Sequence, residues 1–277
     1  MSVCHLPRRR RTSFASHVCP LSRKPVSASL TRRQAAKLLS PDAADGATSG
    51  RGESVVRTYE QLRELIVRGR LAPGSRIVES EIAGRLGVSR TPVRSALHRL
   101  QQEGYIASGD GAKEQRLVIA PLTQDDAREL FHIVGQLEGL AARRAAELPL
   151  PERTALVRNL EQLNEELAET ARVPRPDQLR IFELDTAFHR AYVTAGAGSR
   201  LLALHDAIKP QSDRYIRLYI SSLVDEIVTS VKEHAVIIRQ IEDGAALAAQ
   251  SAVDTNWRNA ALRLEKVIAA LGERGSW

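Results

Sequence analysis

The sequence predicts a mainly α-helical protein, with a small N-terminal domain carrying one β-hairpin and an all-helical bundle behind it. Three observations carry that expectation. Beyond Pro121 apolar residues recur at helical spacing in successive segments, broken at Pro149/Pro151, Pro174/Pro176, Gly196/Gly198 and Gly244. Strand-like stretches are few: a short one around Arg76-Ile77-Val78, and Tyr105–Ser108 and Arg116–Ala120 either side of a glycine-rich tip. Residues 1–52 are rich in Arg, Ser and Pro and show no sustained period. The expected organisation is a disordered basic extension over 1–52, a compact domain over 53–122 and the helical bundle over 123–277.

Composition narrows the function classes. The 277 residues suffice for two domains of the usual size, roughly 100–200 residues each. No apolar run approaches the roughly 20 residues of a membrane span, so no membrane role is expected. The two cysteines, Cys4 and Cys19, make no disulfide framework and fit a reducing compartment, the cytoplasm. Aromatics, at 4%, are too scarce for a platform that stacks single-stranded bases. The net charge of +7 is unevenly spread: residues 1–52 carry +8, residues 53–122 carry +3 and residues 123–277 carry −4. An acidic body of that size is not expected to be wrapped by DNA.

The extension opens with Arg8-Arg9-Arg10-Arg11, but Pro20, Arg23, Lys24 and Pro25 interrupt the apolar stretch that an export signal needs. A transit peptide fits its acid-poor composition better, and a disordered basic arm is the simplest reading. Cys4-His5 and His17-Cys19 match no zinc spacing.

Between residues 53 and 122 the elements follow in order. Tyr59, Leu62, Leu65 and Ile66 mark a helix that stops at Gly69; Pro73-Gly74 turns the chain into a short strand around Arg76-Ile77-Val78. A second helix begins near Ser80 with Ile82, Ala83 and Leu86 inward. Gly87-Val88-Ser89 makes a tight turn, Ser89 is placed to cap a third helix, and Pro92 is tolerated in its first turn. Val93, Ala96, Leu97 and Leu100 form the buried stripe of that helix, leaving Arg90, Arg94, His98 and Gln101 outward. The hairpin follows, with Gly109, Asp110, Gly111 and Lys113 at its tip. This is a winged helix-turn-helix. Two arginines near the start of the third helix suit bidentate contact with guanine in a major groove, and Ser89 and Thr91 suit phosphates. The candidate DNA-binding residues are Arg57, Ser89, Arg90, Thr91, Arg94, His98 and Lys113.

The run Arg70-Leu71-Ala72-Pro73-Gly74, then Glu79-Ser80-Glu81-Ile82-Ala83, then Leu86-Gly87-Val88-Ser89-Arg90-Thr91-Pro92-Val93-Arg94 resembles the GntR family of bacterial regulators. The resemblance implies that Arg90 and Arg94 contact bases and phosphates. Ser80 stands where some relatives have a further DNA-contacting arginine, so their operators do not transfer.

Beyond Pro121 helices are expected over about 124–148, 152–172, 177–195, 200–221, 223–243 and 245–271. The arrangement resembles the FCD-type effector-binding and dimerisation domain of the FadR-like branch of GntR regulators. Asp185 and His189, four apart, project from one helix face. Alone they read as an ordinary intrahelical pair, and His234 alone as a surface or core histidine. The resemblance makes Asp185, His189 and His234 ligands of one divalent metal, zinc or nickel. Two departures follow from the same alignment. Asn256 stands where the subfamily places a fourth-ligand histidine, and an amide oxygen is a weaker donor to these metals. Val134 stands where an arginine often holds the effector's carboxylate; Arg214 is the candidate substitute. His132 and His205 have no partner at ligand spacing and read as structural.

The expected function is a homodimeric, sequence-specific transcription regulator, a repressor by resemblance, reading a pseudo-palindromic double-stranded DNA operator. Its small-molecule effector, an organic acid in the simplest case, binds the helical domain. The rivals are a metal-dependent enzyme built on the bundle and a nonspecific DNA-coating protein acting through the basic extension.

Overall fold

The computed structural model describes residues 45–109 and 116–275, and from Ala47 onward the chain forms one compact unit. In chain order the elements are α1 (Asp45–Val67), α2 (Glu79–Leu86), α3 (Arg90–Gln102), β1 (Ile106–Gly109), β2 (Arg116–Ile119), α4 (Gln124–Ala146), α5 (Leu150–Arg172), α6 (Gln178–Gly196), α7 (Ser199–Leu223), a 3-10 turn (Val224–Glu226), α8 (Ile227–Glu242) and α9 (Ala246–Leu271). Lys113 and the motifs of the N-terminal extension lie outside the described residues.

One sequence expectation needs correction at the start. α1 begins at Asp45, inside the stretch read as lacking structure. The upstream turns carry no apolar stripe, and Gly46, Gly50 and Gly52 are poor helix formers, so neither period nor propensity announces them.

The N-terminal head closes on its own core: Leu62 and Ile66 from α1, Ile82 and Ala83 from α2, Val93, Ala96, Leu97 and Leu100 from α3, and Tyr105, Ile106 and Ile119 from the hairpin. Gly69 ends α1 with a positive φ of 68°. The α2–α3 turn depends on Gly87, whose φ of 66° turns the following Val88 N–H back onto the Ala83 carbonyl at 3.1 Å. Replacing Gly87 with Ala should therefore cost about 1 kcal/mol in a denaturant melt. Ser89 occupies the N-cap position of α3, yet its side chain makes no capping hydrogen bond. β1 and β2 pair antiparallel with Ile106 opposite Ile119. The extended piece after Pro73 lies along β2, Ile77 N–H donating to the Leu117 carbonyl at 2.9 Å.

The helical domain builds around α4, which packs along α9 and also touches α6, α7 and α8, while α5 packs on α6 and α8. Thr123 caps α4 by accepting from the Asp126 N–H, and Asp125 and Asp126 favour its positive end. Asp177 caps α6 through the Leu179 and Arg180 N–H groups. Past α9 the chain returns to the linker, where Leu122 and Arg274 exchange two backbone hydrogen bonds.

α7 is the element that touches both domains. The Asp206 carbonyl accepts from the Arg63 Nη2 of α1 at 2.8 Å, and the Arg214 Nη2 donates to the Ala120 carbonyl at 2.7 Å. Tyr215 Oη accepts from the Thr123 N–H and donates to Asp126.

Candidate functional site

Two sites emerge, one on each domain. On the head, the spacing of α3 puts Val93, Ala96, Leu97 and Leu100 in the core and leaves Arg90, Thr91, Arg94 and His98 exposed together with Ser89 and Arg57. This is the side-chain set a recognition helix presents to a groove. Arg94 is not idle there: its guanidinium pairs with Glu79 on α2, Nη2 donating to Oε2 at 2.9 Å. An exposed pair of this kind contributes little, so Arg94 can exchange it for a base or a phosphate.

In the helical domain, α6 carries Asp185 and His189 on one face and α8 brings His234 against them. One ligand atom from each lies within 4.8 Å of the others. His234 Nε2 is buried, has no hydrogen-bond partner and sits 3.7 Å from Asp185 Oδ1. Its other nitrogen, Nδ1, faces Asn164 Oδ1 of α5 at 3.2 Å. His189 Nδ1 is likewise engaged, 2.7 Å from Glu138 Oε2 of α4. With Nδ1 turned to an oxygen in both rings, Nε2 is the atom each ring can present to a metal once it carries no proton, the arrangement that metal-binding histidines use. The donor set therefore fits a divalent ion. Burial, with the nearby His189 charge and Arg263, pushes the His234 pKa well below its ordinary value, so this ring is neutral. Phe188 holds it in place, stacked at 3.9 Å between ring centroids.

Glu138 ties the site together and was not singled out from the sequence. Fully buried, it accepts from Tyr192 Oη and Trp257 Nε1 at Oε2, at 2.6 and 2.8 Å, beside His189, and from His205 Nε2 at Oε1 at 2.9 Å. Burial alone would raise its pKa; the His189 charge, the His189 and His205 hydrogen bonds and Lys209 outweigh it and hold the carboxyl well below the usual range. His189 is raised for the complementary reason: burial would lower it, and Glu138 overrides. Asp185 is pushed up by burial. The signal for Glu138 was present, since it falls on the same α4 stripe as Val134, Ala141 and Ala142, an acid where only apolar residues belong. His205, read as a structural histidine without a ligand-spaced partner, meets its partner on another helix, which sequence spacing cannot reveal.

A cavity of about 70 Å³ opens beside the triad, with Asp185 and His189 in its wall together with Asn256, Ser230 and Arg263. Asn256 does line it, but its Nδ2 donates to Glu233 Oε2 at 2.8 Å. Arg263 braces the same carboxylate through Nη1 at 3.0 Å and Nη2 at 3.1 Å. The two effector candidates lie elsewhere. Val134 of α4 is wholly buried in the domain core, and Arg214 of α7 holds the Ala120 carbonyl of the head, while Ile216, Ile220 and Leu223 of the same helix line the cavity.

The comparisons with known proteins agree with both halves. Residues 55–112 match the family described as bacterial regulatory proteins, gntR family, and residues 129–259 match the FCD domain. The chain is 32% identical over 166 residues to the HTH-type transcriptional regulator in the TAR-I ttuE-ttuC' intergenic region of Agrobacterium vitis, covering 60% of this chain and 92% of that one. It is 24% identical over 191 residues to the gluconate operon transcriptional repressor of Bacillus subtilis, covering 68% and 75%. Among solved structures, a GntR transcriptional regulator from Rhodococcus sp. RHA1 shares the fold with a TM-score of 0.58 at 20% identity, covering 78% of this chain and 98% of that one. The exposed arginine face on a helix-turn-helix, joined to a helical domain with a cavity beside a buried Asp/His cluster, is thus accounted for as a DNA-binding transcription regulator with an effector domain, not as an enzyme. The chain belongs to the GntR family and combines its DNA-binding head with an FCD domain.

Proposed function

We propose that the chain is a homodimeric repressor whose FCD domain holds one divalent metal, zinc or nickel, through Asp185, His189 and His234, and releases a pseudo-palindromic operator when a small organic acid enters the cavity beside them. The observation that carries the metal reading is the buried, partnerless His234 Nε2 facing Asp185. When bound, the ion would supply positive charge for an acid's oxygens. Glu138 and Asn164 orient the two imidazoles toward it. For DNA the support is the exposed set Arg57, Ser89, Arg90, Thr91, Arg94 and His98. Among the described residues no helix is long and apolar enough to cross a membrane.

The proposed route from effector to DNA runs through α7. Its Ile216, Ile220 and Leu223 line the cavity, while Asp206 and Arg214 on the same helix hold the head. A ligand that favours one position of α7 shifts the populations of head arrangements. In a dimer this changes the spacing of two recognition helices, which must match about one DNA turn.

Metal analysis of the purified protein tests the first half. Near-stoichiometric zinc or nickel is expected in the parent and none in Asp185→Ala; equal content in both removes the triad from the reading. For the second half, Arg94→Ala should weaken operator binding by roughly 1–3 kcal/mol with fold and dimer intact. Parent-like affinity in a gel-shift titration would exclude α3 as the reading helix.

A further inference from the structure

The walls of the cavity say what kind of acid it takes. Most of its lining is hydrocarbon: Ile181 and Phe182 from α6, Ile216 and Ile220 from α7, Ile227 from α8 and Leu264 from α9. Ile216 and Ile220 are only partly buried, so a ligand that covers them removes apolar surface from water.

The polar lining is largely committed to itself. Asn256 and Arg263 donate to Glu233, and Ser230 Oγ accepts from Arg263 Nη2 at 3.3 Å. Glu233 also takes Asn259 Nδ2 at 2.8 Å. Glu226 is exposed at its position between α7 and α8. Few donors or acceptors remain for the hydroxyls of a sugar acid, and a hydroxyl enclosed without a partner forfeits the hydrogen bonds it had with water. A single anionic head is the exception. A divalent ion between one carboxylate and the imidazoles of His189 and His234 keeps positive charge, and Arg263 is the one Lys or Arg in the described lining.

We propose that the effector of this chain is a small monocarboxylate with an apolar body, such as a short-chain aliphatic or an aryl acid, its head at the Asp185/His189/His234 end and its body against Ile216 and Ile220. This rests on the reading of the cavity as the metal-assisted effector site. It sets the chain apart from a sensor of polyhydroxylated acids, because the cavity offers shape and hydrocarbon where such acids need paired polar groups.

The test uses the full chain loaded with zinc and four probes, hexanoate, benzoate, lactate and gluconate, read by thermal shift and calorimetric titration. Hexanoate or benzoate should raise the melting temperature saturably and bind more tightly than lactate or gluconate. Ile216→Thr should weaken the favoured acid by about tenfold while zinc affinity stays unchanged. If Ile216→Thr does not fold, the ranking of the four acids in the parent decides alone. Tighter binding of lactate or gluconate overturns the apolar-body assignment and leaves the metal-assisted site standing. Undiminished hexanoate or benzoate binding to Asp185→Ala without zinc does the reverse, keeping the apolar body and removing the metal. Hexan-1-ol binding as tightly as hexanoate, or no binding by any of the four acids, overturns the proposal.

Discussion

Glu138→Gln should lower the stability of the chain by about 3–5 kcal/mol, the range for breaking a buried charged network by removing one partner. The carboxylate sits fully buried among four donors, His189, Tyr192, His205 and Trp257, and only an acceptor with two oxygens serves them all. Glutamine keeps the size but offers one oxygen and turns an NH2 toward groups that also donate. The carboxyl is held well below its ordinary pKa, so its contribution is fully present above the unfolded-state value near pH 4.3 and is lost as pH falls through the lower folded value. The parent and the variant should therefore differ most at neutral pH and converge in acid. The same change leaves His189 Nδ1 with Tyr192 Oη, at 2.7 Å, in place of a carboxylate, so metal affinity should drop by about 10–100-fold, as for other partners that orient a ligating histidine. Urea melts at pH 7 and pH 3, with a zinc titration, read all three effects; a variant as stable as its parent at pH 7 would mean that the donors do not depend on this acceptor.

The contrast between what the sequence disclosed and what it withheld follows the range of the interactions. The ends of the bundle's helices are written in local signals, Pro149, Gly196 and Gly244, each acting within a few residues of itself. The α2–α3 turn is equally local, since Gly87 alone supplies the left-handed conformation. Asp185 and His189 share a face through helical geometry, but bringing His234 to them requires α8 to pack on the bundle, and there the family resemblance supplied what spacing does not. Spacing marks Glu138 as an acid on an apolar stripe, but it cannot reveal the pairing with His205, 67 residues away. Arg214 was placed at the cavity because its helix borders it. That is true of Ile216 and Ile220, whereas Arg214, two residues before Ile216, points to the head. A helix with two functional faces cannot be divided between them until its neighbours are known. The start of α1 at Asp45 was missed for the opposite reason, since helix extension there has no apolar pattern to announce it.

Gly196→Ala should cost about 3 kcal/mol and loosen the metal centre with it, because this glycine sets how closely α6 approaches α4. A Cβ at that position would lie 2.0 Å from the Ala141 carbonyl oxygen and 2.8 Å from the Ala145 nitrogen, both backbone atoms of α4 that no side-chain rotation can move. The helices must separate, and overpacking of this kind costs roughly 1–3 kcal/mol or more. The consequence reaches the site because the same crossing brings His189 and Tyr192 of α6 against Glu138 of α4, at 2.7 and 2.6 Å. Separation by even a few tenths of an ångström weakens these short, buried hydrogen bonds together, and His189 then presents its Nε2 less firmly to a metal. Gly198, two residues further on, is the natural control: its added Cβ would meet only Arg144 Nη1 at 3.5 Å, the movable end of a long side chain. Gly198→Ala changes the N-cap of α7 and should cost less than about 1 kcal/mol. A thermal melt and a zinc titration of both variants separate the two positions. Equal tolerance of alanine at 196 and 198 would show that the α4–α6 crossing yields without strain, and that the contact from Glu138 to His189 does not depend on it.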